Sequence, residues 1–265
     1  QALTPMTMDY AIVSMVFAAA LFLGMLLLLE LGRRIGTRRL ARDTEGARAG
    51  LGAVEGAVFG LLGLLIAFTF SGAAARFDTR RQLVVEETNA IGTAYLRVDL
   101  LPADAQPALR ETFRRYVDSR LDVYAKLPDI EAAKKELARS NEVQGELWTQ
   151  AVAACRKFNS QPATMLLVPA MNQMIDIATT RTMAAQMHPP TIIFVMLAAL
   201  ALVSALLAGY GMAGGKSRSW IHMLGFAAIM ALTVYVILDI EYPRLGSIRV
   251  DAFDQALVDL RQSMK

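Results

Sequence analysis

Residues 54–96 read VEGAVFGLLGLLIAFTFSGAAARFDTRRQLVVEETNAIGTAYL, and the reading of this stretch decides the fold. Its first half, to Ala75, is apolar or small apart from Glu55 and two hydroxyl residues. A bilayer core about 30 Å thick takes roughly 20 residues of helix, so Val54 to Ala75 is long enough to cross. The second half is charged, yet after Gly72 it contains no proline and no glycine until Gly92. Nothing in it stops a helix. The pattern therefore predicts one helix from about Leu51 to Leu100 that begins in the membrane and ends outside it. The stop is Leu101-Pro102-Ala103-Asp104, where Pro102 restricts the residue before it.

Three further apolar runs have spanning length: Ala11 to Leu29, Thr191 to Leu207 and Trp220 to Leu238. The first has no basic segment ahead of it and no small-residue cleavage site behind it, so it reads as a span rather than a signal peptide. The 265 residues are 55% hydrophobic and 19% charged, with a mean hydropathy of +0.38. Soluble domains seldom combine such values, and here the apolar residues are gathered in blocks. The expected fold class is all-α: a four-span transmembrane helical protein with an inserted extramembrane antiparallel helical bundle. The expected divisions are a first helix pair with a basic loop (1–75), a helical insert (76–190), a second helix pair (191–238), and a polar cluster with a short amphipathic helix (239–265).

The basic residues set the orientation. The segment from Leu31 to Ala53 carries Arg33, Arg34, Arg38, Arg39, Arg42 and Arg48 against Asp43 and Glu45. The loop between the last two spans has Lys216 and Arg218 and no acid. Short loops rich in Lys and Arg stay in the cytoplasm. Both termini and the insert are then expected outside, which for a bacterial inner membrane is the periplasm. The arginines serve equally as contacts for anionic membrane lipids.

The insert, residues 76–190, holds fifteen basic and fourteen acidic residues. This is the balance of a solvated domain without a single-sign field. Apolar residues at three- and four-residue spacing predict helices at about 106–127, 130–157 and 161–186. The tail beyond Pro243 places Val250, Phe253, Leu257 and Leu260 at helical spacing, a short amphipathic helix.

The second span holds the candidate chemistry. Gly52, Gly56 and Gly60 lie four apart, Gly63 is beside them, and Ala67, Ser71 and Ala74 or Ala75 extend the small-residue stripe. Such stripes let membrane helices pack closely. Alternatively, copies of the face surround an axis, and Gly56, Gly60, Gly63, Ala67, Thr69 and Ser71 line a pore. Phe68 and Phe70 are then candidate gates, and Glu55 stands at the mouth, where a carboxylate ring favours cations. Arg76, Asp78, Arg80, Arg81, Glu86, Glu87, Asn89 and Arg97 crowd the same helix just outside the membrane. Asp239, Glu241 and Arg244 follow the fourth span. The expectation is a collar or vestibule in which Asp239 and Glu241 pair with Arg76, Arg80, Arg81 or Arg97.

Nucleic acid is not expected as a partner, because no basic block is interleaved with aromatics. The single cysteine, Cys155, has alanine and valine neighbours and reads as a packed helix position. His188 and His222 fall at opposite ends of the topology, which leaves no metal site for one chain. No phosphate-binding loop, serine elbow or metalloprotease helix is present, so neither an enzyme nor a cofactor is expected.

Three stretches carry a family resemblance: EGAVFGLLGLLIAFTFSGAAARFDTRR at 55–81, VEETNAIGTAYLRVDLLP at 85–102 and EYPRLGSIRVD at 241–251. They resemble a bacterial membrane family of unassigned function described as bestrophin-like. The resemblance implies a homo-oligomer, by analogy with the pentameric bestrophin channels, and a pore lined by the second of four spans for an inorganic ion. Bestrophins carry their soluble domain in the cytosol, whereas the arginines here place it outside. Anion selectivity and calcium control are therefore not carried over. The function expected is a homo-oligomeric ion channel or conduit. The alternatives are an envelope scaffold or sensor, and a transporter of ions or small solutes.

Overall fold

A computed structural model describes residues 10–42, 51–159, 161–214, 219–246, 248 and 250–264. These residues are helical, with no strand among them. The helices are α1 (Tyr10–Leu40), α2 (Leu51–Leu96), α3 (Gln106–Ala125), α4 (Ile130–Phe158), α5 (Gln161–Gln186), α6 (Thr191–Gly211), α7 (Trp220–Glu241) and α8 (Asp251–Ser263). A 3₁₀ turn, Arg97–Leu100, closes α2 just ahead of Leu101-Pro102. The parts of the basic loops at 43–50 and 215–218, with Asp43, Glu45, Arg48, Lys216 and Arg218, lie outside the described residues.

Local chemistry marks the boundaries. Pro107 starts α3, where its missing N–H costs nothing. The Asp129 carboxylate accepts from the Ala132 amide at 3.0 Å and caps α4. Asn159, at φ 47°, ends α4 in the left-handed conformation that Asn tolerates.

The chain divides into two compact units. One contains Met8–Ala75 and His188–Tyr242; the other contains Arg76–Met187 and Pro243–Lys265. α2 contributes residues to both. The first unit holds α1, the first half of α2, α6 and α7. Each of these helices is long and apolar enough to span a bilayer, which makes the chain a membrane protein.

Within this unit α1 and α6 touch backbone to backbone. A β-carbon at Gly32 would lie 2.0 Å from the Leu206 carbonyl oxygen, and one at Gly209 would lie 2.0 Å from that of Leu29. At Gly36 it would meet Ala213 Cβ at 2.6 Å. Only glycine permits this approach. Leu21, Met25 and Leu29 of α1 fill the core with Leu197, Ala201 and Ala205 of α6.

The second unit packs the outer half of α2 with α3, α4, α5 and α8. Its core includes Ile91, Tyr95, Leu109, Phe113, Tyr116, Leu147, Leu167, Met171 and Met174. Burying each such side chain contributes about 1.5–3 kcal/mol before chain entropy is counted. The ring of Tyr95 meets Phe113 edge-on at 5.7 Å. Cys155 is buried in this core. The amphipathic α8 seats Leu257 there too, with Leu260 alongside, and Met264 just after the helix enters the same core.

Candidate functional site

The membrane half of α2 has two unlike faces. Leu62 and Ala73 are buried in the core, and Leu65 and Ile66 pack against it. Phe59 meets Phe226 of α7 edge-on at 6.1 Å. The other face is open. β-Carbons at Gly52, Gly56, Gly60 and Gly63 would meet nothing within 4 Å. Ala67 and Ser71 continue this face and are exposed. Phe70 stands at its edge near Gly63, and Phe68 lies beyond its other edge, beside Leu61 and Leu64. Phe68 is 68% exposed and Phe70 44%. Thr69 is half-buried and turns inward, its hydroxyl donating to the carbonyls of Leu65 (2.7 Å) and Ile66 (3.0 Å). Glu55 is half-buried as well, with its carboxylate directed at Gly211 near the end of α6.

The outer half of α2 also presents an exposed row: Asp78, Gln82, Glu86, Asn89 and Thr93. Gln82 donates to Glu86 at 2.8 Å. Glu86, Asn89, Ala90 and Thr93 form one wall of a cleft of about 280 Å³ closed by Gln173 and Ile177 of α5. A neighbouring hollow of about 360 Å³ adds Asn172, Asp176 and Thr180. Neither residues 82–96 nor residues 161–180 contain a lysine or arginine. These two helices therefore offer amides, hydroxyls and carboxylates, a lining suited to coordinating or attracting cations.

Arg80, Arg81 and Arg97 of α2 bond within the extramembrane unit. Arg80 is buried and donates to the carbonyls of Ala184 (3.1 Å) and Met187 (2.8 Å), which are left without helix partners at the end of α5. Arg81 pairs with Asp78 at 3.1 Å, and its guanidinium lies over the Phe253 ring at 4.3 Å. Arg97 donates to the Leu166 carbonyl at 2.6 Å. Arg76 is half-buried. In the membrane unit, Asp239 and Glu241 are both buried. His188 Nδ1 lies 3.1 Å from a Glu241 oxygen, and its ring stacks on Tyr242 at 4.3 Å.

A buried ionic network in the extramembrane unit was not among the sequence expectations. Glu87 receives Arg120 Nε at 2.6 Å on one oxygen and Arg181 on the other. Arg181 also donates to Asp254 at 3.0 Å, and Arg244 grips the same carboxylate at 2.7 and 2.8 Å. All three guanidiniums lie against the Tyr124 ring, at 3.9 Å (Arg181), 4.4 Å (Arg244) and 5.5 Å (Arg120). Burial alone would raise the Glu87 pKa; the charges and hydrogen bonds of Arg120 and Arg181 outweigh it and hold the carboxyl below its ordinary range. Burial pushes the Tyr124 phenol up, which keeps it neutral. The sequence signal was the position of Glu87 on the apolar side of α2, three residues from Val84 and Ala90 and four from Ile91.

The bestrophin-like domain family matches residues 16–252, most of the chain. The chain belongs to the bestrophin-like family. Bacterial bestrophin homologues from Klebsiella pneumoniae share its fold: one variant crystal structure has a TM-score of 0.64 at 12% identity, covering 93% of this chain and 98% of its own. Another has a TM-score of 0.65 at 15% identity, covering 90% of this chain and 98% of its own. At such identity the likeness is one of fold. No curated protein sequence matches this bestrophin-like chain.

Proposed function

We propose that this bestrophin-like chain is one subunit of a homo-oligomeric, pentameric ion channel in a bacterial inner membrane. The open face of α2 lines its axis. The observation that carries this reading is the contrast between two sets of glycines in one bundle. Gly32, Gly36 and Gly209 are consumed by close backbone contact, whereas Gly52, Gly56, Gly60 and Gly63 have nothing against them. A lipid-facing surface gains nothing from glycine, which weakens a helix by about 1 kcal/mol relative to alanine. A narrow axial lumen needs small side chains. Phe68 and Phe70 flank that face and form an apolar constriction.

The outer row of α2, with its amides and the carboxylates of Glu86 and Asp176, forms the approach and favours cations over anions. The termini and the insert lie on the periplasmic side, following the arginines.

Reconstitution into planar bilayers tests the proposal. Wild-type protein is expected to conduct with a preference for potassium over chloride. Ser71→Cys is expected to become blockable by a charged thiol reagent, and Phe70→Ala to raise conductance. Absence of current, or indifference of Ser71→Cys to the reagent, would remove α2 from an ion path.

A further inference from the structure

α1 is longer than its membrane crossing. Its 31 residues extend about 46 Å at 1.5 Å each, against a hydrocarbon core of about 30 Å. The apolar run ends at Leu29, so the excess is the segment from Glu30 to Leu40. One side of this segment is packed. Gly32 and Gly36 are pressed against the backbone of Leu206 and Tyr210, which fixes the rotation of the helix. Arg34 and Arg38 point to the opposite side, and Arg34, Arg38, Arg39 and Arg42 are all exposed.

Arg33 sits between the two sides. It is half-buried, and its Nη1 is shielded from solvent with no acceptor among the described residues. The described charges at this end are five arginines against Glu30, which pairs with Arg34 at 2.8 Å, and Glu55. Trp220, exposed at the first residue of α7, is of the type that settles at headgroup level.

From this geometry we infer that the end of α1 is a binding surface for anionic phospholipid headgroups, with a lipid phosphate accepting from Arg33 and neighbouring headgroups engaging Arg38, Arg39 and Arg42. Guanidinium forks match phosphate oxygens in pairs. The height is suitable, because Arg33 lies about 6 Å of helix beyond Leu29, within the headgroup layer.

The test uses purified full-length protein in neutral detergent. Retained phosphatidylglycerol and phosphatidylcholine are compared by native mass spectrometry. Wild-type protein is expected to retain phosphatidylglycerol preferentially, and the preference is expected to shrink as salt rises. Each arginine near an anionic surface contributes roughly fivefold, so Arg33→Gln with Arg38→Gln and Arg39→Gln should cut the preference by about a hundredfold at low salt. Equal retention of the two lipids by wild-type protein would overturn the inference, as would a preference that neither salt nor the triple variant alters. If the triple variant does not fold, wild-type salt dependence and Arg33→Lys decide: the lysine is expected to keep the charge but weaken the preference. Thermal stabilisation by inorganic phosphate equal to that by phosphatidylglycerol would also overturn it.

Discussion

Two guanidiniums meet the carboxylate of Glu87 with no solvent to share the charge. Removing one partner of such a buried set leaves uncompensated charge and costs about 3–5 kcal/mol. Glu87→Gln is therefore expected to lower the stability of the extramembrane unit by that amount, read as an earlier thermal transition in detergent. The pH dependence follows from the depressed pKa. The folded carboxyl titrates below its unfolded value of 4.5, so its stabilisation is complete above that value and is lost as pH falls through the folded pKa. Wild-type protein should lose stability in that acid window, and the variant should lack this component. A Glu87→Gln protein melting like wild type at neutral pH would show that the network is not a source of stability.

The same residue type serves opposite ends in different elements. Gly209→Ala puts a methyl into the Leu29 carbonyl, and helices α1 and α6 must part. Overpacking of this kind typically costs 1–3 kcal/mol or more. Gly60→Ala meets nothing and should raise helix stability by up to about 1 kcal/mol while narrowing any shared lumen. Melting curves for the two variants are expected to move in opposite directions; parallel shifts would contradict the contrast. Sequence spacing alone cannot make this distinction, because packed and open glycines recur at the same interval. Helix limits were more legible. Pro102, Asp129 and Pro189-Pro190 are local signals, and the structure turns where they stand. The Glu87 network was not legible because its members lie 33 to 167 positions away from Glu87 in sequence, and only the fold brings them together. The C-terminal helix depends on one of them. Asp254→Asn weakens the hold of Arg181 and Arg244 on α8, a loss of roughly 2 kcal/mol for charge-assisted bonds of this type. Amide exchange should rise in residues 251–263 ahead of α3 and α4; uniform protection would show that Leu257 and Met264 suffice to hold the helix.

At the scale of the whole molecule, the side of the membrane occupied by the extramembrane unit follows from short segments rather than from that unit itself. A domain of this length crosses largely regardless of its charge, whereas arginines within about 15–20 residues of a span hold their side in the cytoplasm. The end of α1 carries Arg33, Arg34, Arg38, Arg39 and Arg42, all on one side of the bilayer by the length of the helix. On the orientation proposed above, residues of α5 face the opposite side. Gln173→Cys, at an exposed position on α5, is expected to react with a membrane-impermeant maleimide in intact spheroplasts. Thr37→Cys, exposed near the end of α1, is expected to react only after permeabilisation. Cys155 is buried in the core of the extramembrane unit, so its thiol is shielded from the reagent in both backgrounds. Labelling of Thr37→Cys from outside, with Gln173→Cys protected, would reverse the orientation. It would place the acidic and amide-lined clefts in the cytosol, the side on which bestrophins carry their soluble domain. The cation preference tested in bilayers would be unaffected, because it depends on the lining and not on its side.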